Sequence, residues 1–163
     1  MKIREAHATD LDRLVTIDDV ARRDAKRIEF IRCAIDQRHC LVCTDNETVL
    51  GYSILDYSFY ATGFVALLYV DEQQRRQKAG THLMQALESR CETPKLFTST
   101  NVSNLPMQSL LRKLGYQESG MIFNLDPGDP ELVYCKVLRV HALMQGEKEN
   151  GRKSELLSPS KDG

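Results

Sequence analysis

"LLYVDEQQRRQKAGTHLM", residues 67–84, is the stretch whose reading decides the fold. An apolar run ends at Val70, and Arg75, Arg76 and Lys78 crowd into a basic turn. Gly80 then opens an apolar-periodic segment through Leu83, Met84 and Leu87. Strand, basic turn and helix start, in that order, make a site for anions. N–H groups left unpaired at a helix N-terminus point outward together, and the helix dipole adds positive potential. Neither the G-x-x-x-x-G-K-[ST] spacing nor G-x-G-x-x-G, the two common nucleotide loops, occurs in it.

Outward from that stretch, helical and strand-like periods alternate. "GFVALLYV", 63–70, is a continuous apolar run of the length of a central strand covered on both faces. Before it, residues 2–6 read as a short strand, and Thr9 or Asp10 is placed to cap a helix bearing Leu11, Leu14, Val15 and Ile17. A second helix falls within 23–37 with Ile28, Ile31 and Ile35 as its stripe. "CLVCTDNETVLGYSIL" is a hairpin turning at Asp45-Asn46-Glu47. After the stretch come a helix over 79–91, the strand "KLFTST", and the helix "NLPMQSLLRKLG", which stops at Gly115. Two strands around "DPGDP" close the pattern. The order αα-ββ-β-α-β-α-ββ, behind a short first strand, predicts an α/β (α+β) domain. Its central sheet is mixed and mostly antiparallel, with about six to seven strands flanked by about four helices. The domain is expected to span residues 1–144. "QGEKENGRKSELLSPSKDG", 145–163, carries four acidic and four basic side chains and almost nothing apolar, so it reads as a disordered tail.

Composition excludes several classes. The net charge of −1 offers no global attraction to nucleic acid or an acidic membrane, and no apolar run reaches the length of a membrane span. The start lacks an apolar stretch of signal-peptide type, which predicts a cytoplasmic protein. The five cysteines are odd in number and spaced without a disulfide rhythm. The lone C-x-x-C of Cys40 and Cys43 has no second ligand pair for zinc and sits in a strand-like segment. Reduced, structural thiols and no metal site are expected.

The segment 67–84 resembles the acetyl-CoA motif of the GNAT superfamily of N-acetyltransferases, in which a strand ending in valine leads to R/Q-x-x-G-x-G/A and a helix. Arg75 falls on the Arg/Gln position and Gly80 on the second Gly/Ala, while Lys78 replaces the first glycine. "NLPMQSLLRKLGY", 104–116, resembles the later motif N-x-x-A-x-x-L-Y-x-K-x-G-F, with Asn104, Leu110, Lys113, Leu114, Gly115 and Tyr116 in register. Element order extends the resemblance over about residues 1–140.

That resemblance implies acetyl-CoA as co-substrate. Its pantetheine arm would meet main-chain atoms of Leu68 and Val70. Its pyrophosphate would lie over Arg75, Arg76, Gln77, Lys78, Ala79, Gly80 and Thr81. Asn104 would contact the cofactor, cap its helix, or both. The implied reaction is direct attack of a primary amine, on a small molecule or a peptide, at the thioester carbonyl. An amine with a pKa near ~10.4 is neutral in on the order of one molecule in a thousand at pH 7, so a base or a site that lowers the amine pKa is needed. Two family features depart. Leu111 stands where a tyrosine often protonates the thiol, leaving Tyr69, Tyr116 or water as the substitute donor. "FVALLYV" carries no acid, leaving Glu72, Glu131 and Asp56 as candidate bases beside their ordinary reading as solvated carboxylates. The acceptor site is expected around residues 18–30, the hairpin tip and the 126–130 loop, where Asp18, Asp19, Arg22 and Arg23 could read charge beside their ordinary reading as a solvated helix face. The competing reading is a non-catalytic acyl-CoA-binding or regulatory domain. Homodimerisation is compatible with the family, and no nucleic-acid or membrane partner is expected.

Overall fold

The hairpin is where local chemistry fixes register most visibly. Asn46 and Glu47 take left-handed φ values of 44° and 68°, a two-residue turn whose twist matches the strands on either side. It joins β2 (Cys40–Asp45) to β3 (Thr48–Phe59) in a computed structural model that describes residues 1–138. The expected 145–163 tail and the last residues of the 1–144 domain lie outside the described residues. β1 (Lys2–Glu5), α1 (Leu11–Ile17) and α2 (Ala25–Asp36) precede the hairpin. After it come β4 (Thr62–Val70), α3 (Ala79–Arg90), β5 (Lys95–Asn101), α4 (Leu105–Lys113), β6 (Gln117–Ile122) and β7 (Glu131–Val137).

The seven strands form one sheet in the order β1-β2-β3-β4-β5-β7-β6, in which only the β4–β5 pair is parallel. Two apolar clusters cover its faces. One joins Leu83, Met84 and Leu87 of α3 and Leu111 of α4 to Leu41, Leu55, Val65 and Leu96 of the sheet. The other joins Leu14 and Ile17 of α1 and Ile31 and Ile35 of α2 to Val42, Tyr52, Ile54 and Leu67. The helical stripes expected from sequence are the ones buried. Cys40 and Cys43 are buried and unpaired within the sheet, and burial pushes the Cys40 thiol up to about 12. Among the described residues no helix is long and apolar enough to cross a membrane.

The first helix starts differently from expectation. A one-turn 3₁₀ segment, Ala8–Asp10, precedes α1, and the Asp10 carboxylate reaches back to accept the His7 N–H at 2.7 Å while pairing with Arg4. Asp18, just past α1, is a larger correction. The sequence reads it as part of a solvated helix face that could also meet a ligand's charge, yet it is fully buried. Its carboxylate accepts the Tyr52 hydroxyl at 2.5 Å, Arg27 Nε at 3.1 Å, and the N–H groups of Val20 and Ala21 at 2.9 and 3.1 Å. The buried carboxylate thus ties the α1–α2 connection to β3.

Burial alone would raise the Asp18 pKa, but the Tyr52 hydroxyl, the backbone donors and Arg27 together hold it below the ordinary carboxylate value. A depressed folded-state value contributes stability above the unfolded pKa that is lost as pH falls. Asp18→Ala leaves Arg27 and Tyr52 without their acceptor and is expected to destabilise the fold by about 3 kcal/mol at neutral pH. Urea unfolding of both proteins should show that gap narrowing below a pH of about 4. A gap independent of pH would refute the assignment.

Candidate active site

The site begins where β4 leaves β5. The two strands pair over only three registers, Gly63 with Leu96, Phe64 with Phe97 and Val65 with Thr98. The buried Thr98 hydroxyl donates to the Val65 carbonyl at 3.1 Å, closing the paired section. The next residue on β4, Ala66, has no partner on β3, since Ile54 faces Leu67 and Leu55 faces Val65. This β-bulge shifts the alternation of side chains by one. Ala66 and Leu67 both pack toward α1 and α2, Leu68 and Val70 pack toward α3 and α4, and Tyr69 points back to the α1–α2 face. Beyond Val65 the β5-facing edge of β4 has no strand paired to it among the described residues. The main chain of Leu68 and Val70 therefore borders an open cleft.

Four contacts hold the end of β4. The Asp71 N–H donates to the Leu50 carbonyl at 2.8 Å, and the Asp71 carboxylate pairs with Arg13 of α1 at 2.7 Å and accepts the Gln73 N–H at 3.0 Å. The fourth is a close approach: a Cβ on Gly51, opposite Val70, would come within 2.5 Å of the Tyr69 carbonyl oxygen. A short 3₁₀ turn, Glu72–Gln74, then leads into the basic loop.

In that loop Arg76 and Lys78 both adopt left-handed φ, 69° and 67°. Lys78 thus takes the backbone conformation that a glycine in its place would supply. The first helical bond of α3 runs from the His82 N–H to the Lys78 carbonyl. The N–H groups of Gln77 through Thr81 meet no acceptor among the described residues. Arg75 is held by Glu72 at 3.0 Å, whereas Arg76 and Lys78 are exposed and pair with no carboxylate among the described residues. Gly80 lies where α3, α4 and the end of β4 converge. A Cβ there would approach Leu110 to 3.3 Å and Val70 to 3.6 Å. Unpaired donors, free cations and a strand edge without a neighbour suit a phosphate-bearing group with an extended polar arm.

The other sequence candidates separate into two groups. Tyr69 and Glu131 share the face of the sheet opposite α3 and α4: Tyr69 stacks on Tyr52 at 6.4 Å, and Glu131 opens β7 in register with Asn101. The Tyr69 hydroxyl accepts the Asp19 N–H at 3.3 Å, and burial raises its pKa. Glu131 is half-buried and has no cation partner among the described residues. Glu72 is exposed and engaged with Arg75. Asp19 pairs with Arg22, and Arg23 is exposed.

Other candidates fall away from the cleft. Asp56 accepts from Ser58 at the far end of β3. The Tyr116 hydroxyl is buried, its pKa raised by that burial and then by Glu88 near the C-terminal end of α3, and cannot serve the cleft. Leu111 is fully buried in the core, so its missing hydroxyl is replaced by packing. The Asn104 side chain accepts the Met107 N–H at 3.2 Å and so caps α4. A surface concavity of about 640 Å³ beside Lys2, His7 and Glu47 contains none of these residues. The bulge at Ala66 and the anchoring of Asp71 escaped sequence reasoning; the two small signals available were the Gly51 position and the acid after Val70.

The fold is shared with solved acetyltransferases. No functionally curated protein matches the sequence. An acetyltransferase of the GNAT family from Bacillus cereus is 31% identical, with a TM-score of 0.78 over 83% of this chain and 96% of that one. The ribosomal-protein-S18-alanine N-acetyltransferase of Escherichia coli is 19% identical, with a TM-score of 0.71 over 85% and 94%. The Salmonella typhimurium protein yncA with its cofactor acetyl-CoA is also 19% identical, with a TM-score of 0.71 over 86% and 95%; at that identity the likeness is one of fold. The profile of the acetyltransferase (GNAT) family matches residues 5–116, and the chain belongs to that family of acyltransferases.

Proposed function

We propose that the protein transfers an acetyl group from acetyl-CoA to a primary amine. The observation that carries the reading is the divergence of β4 from β5 directly beside a helix start rich in unpaired donors. The donors of Gln77–Thr81, with Arg76 and Lys78, would hold the pyrophosphate, and the main chain of Leu68 and Val70 would pair with the pantetheine arm. Arg75, tied to Glu72, orders the turn and adds charge. Bound acetyl-CoA supplies an activated thioester carbonyl. Everything else must come from the chain.

Proton handling falls to the face that carries Tyr69 and Glu131. The amine arrives protonated, and Glu131, half-buried and without a cation partner, is the carboxylate placed to take that proton, directly or through water. Tyr69 accepts an N–H from Asp19 and keeps its own proton at neutral pH, because burial raises its pKa. It can therefore donate to the departing thiolate, the role that Leu111 cannot fill. Glu72 serves the loop instead.

Titration calorimetry with acetyl-CoA and dephospho-CoA, followed by thiol detection of amine-dependent CoA release, tests the reading. Binding in the micromolar range with release that requires an amine is expected. Binding without release would leave only the non-catalytic alternative. Replacing both free cations, Arg76→Ala with Lys78→Ala, should weaken acetyl-CoA by at least about tenfold, given roughly 1.5–3 kcal/mol for a hydrogen bond to a charged group.

Two single variants sharpen the roles. Tyr69→Phe should lower kcat by about tenfold to a hundredfold with KM for acetyl-CoA unchanged, the rising limb of the pH–rate profile staying in place because it reports the amine and its base. An unchanged kcat would remove Tyr69 from the chemistry. Lys78→Gly releases a left-handed lysine and should stabilise the free protein by about 1 kcal/mol, measured by urea unfolding. No gain would mean that the loop does not hold Lys78 under strain.

A further inference from the structure

A smaller cavity lies at the end of α3 remote from the basic loop. At 1.5 Å per residue, the steps from Gly80 to Arg90 put it about 15 Å from that loop. Leu41 of β2, Leu55 of β3 and Leu87 of α3 line it, and all three are buried, so its floor is aliphatic. Its volume is about 120 Å³, far below the roughly 300–1,000 Å³ of sites for drug-sized ligands and coenzymes. A branched aliphatic group of metabolite size fits it.

The polar groups around this floor are of both signs. Arg38 and Glu92 are exposed lining residues that take part in no ion pair among the described residues, whereas Arg90 is held by Glu5. The Tyr57 hydroxyl accepts the Glu92 N–H at 3.0 Å, and its own proton, kept because burial raises the pKa, meets no acceptor among the described residues. An anion alone would meet Glu92 and Glu5, and an amine alone would meet Arg38. A zwitterion satisfies both signs.

Arg38 holds its place at a cost. At the end of α2 the His39 N–H donates to the Ala34 carbonyl at 2.8 Å and the Arg38 N–H to the Ile35 carbonyl at 3.0 Å. This is the Schellman arrangement, and Arg38, at φ 59°, occupies the left-handed position that glycine ordinarily fills. A cation near a helix C-terminus gains from the dipole, but the last turn of α2 could supply that and holds no basic residue. The cation stands instead at the strained position, which lines the cavity.

We propose that this cavity binds a small aliphatic α-amino acid, with its side chain on Leu41, Leu55 and Leu87, its carboxylate on Arg38 and the Tyr57 hydroxyl, and its ammonium on Glu92. The site is separate from the acetyl-CoA cleft and does not rest on acetyl transfer. Its ligand ties the end of α2 to the end of α3, so occupancy raises resistance to unfolding.

Titration calorimetry of the full chain with L-valine, isovalerate and isobutylamine tests the site, without acetyl-CoA so that no transfer occurs. Valine should bind saturably and raise the urea midpoint. Each analogue, lacking one of the two charges, should bind about tenfold more weakly. Arg38→Gly should weaken valine by about tenfold while raising the urea midpoint of the unliganded protein, which separates lost binding from lost folding. Glu92→Gln should bring valine down to the level of isovalerate. CoA should not displace valine. Failure of valine to bind, an analogue binding as tightly as valine, valine binding that survives both Arg38→Gly and Glu92→Gln, or displacement by CoA would each overturn the proposal.

Discussion

The structure turns on one extra residue in β4. Without the bulge at Ala66, strict alternation from Val65 onward would send Leu68 and Val70 to the α1–α2 face and Tyr69 into the core beneath α3. The bulge shifts the phase so that two apolar side chains close the core under α3 and α4 while a hydroxyl faces the other side. It falls immediately after the last β4–β5 pair, where the Thr98 hydroxyl caps the Val65 carbonyl. Change of phase and end of pairing therefore coincide, and together they give the cleft a bare main-chain edge and two chemically different faces.

Such an edge is costly in a free protein unless its surroundings hold it open. Asp71 performs that holding, joined at once to β3 through Leu50, to α1 through Arg13 and to the turn through Gln73. The loop that follows carries two left-handed residues with side chains, Arg76 and Lys78. Each such residue costs on the order of 1–2 kcal/mol relative to ordinary backbone. The arrangement persists because Ala79 is buried, Gly80 packs against Leu110, and the first bond of α3 is made from Lys78 itself. A glycine would follow this path at less cost. The lysine combines the same path with a second free cation beside a helix start.

Elements were legible in the sequence because apolar periods of two and about four are statements about faces. The stripe Ile31–Ile35 follows from it directly, while the turn at Asp45-Asn46-Glu47 and the helix end at Gly115 follow from their residue types. Register was not legible. "FVALLYV" is apolar throughout, so no polar residue marks the place where alternation slips at Ala66. Charge partners were not legible either, because they lie far apart in sequence: Asp18 meets Tyr52, and Arg13 meets Asp71. A run such as Asp18, Asp19, Arg22, Arg23 looks like a solvated ligand-reading face until one member proves to be the best-satisfied buried carboxylate in the α1–α2 connection. Leu111 illustrates the reverse: its apolar side chain announced the lost hydroxyl, and only packing explained what took its place.

A net charge of −1 conceals two opposed regions at the same end of the sheet. Arg75, Arg76 and Lys78 lie past β4, and Asp126, Asp129 and Glu131 lie where β5 gives way to β7. A donor that carries phosphates and an acceptor that carries a protonated amine are opposite in charge. In the proposed reaction the basic region would receive the donor and the acidic region the acceptor, sorting them by sign before any contact with the reacting atoms is made. Because each field is local and screened over about 8 Å at physiological salt, neither needs the rest of the surface to be charged. Composition alone therefore could not locate the two local patches of opposite sign.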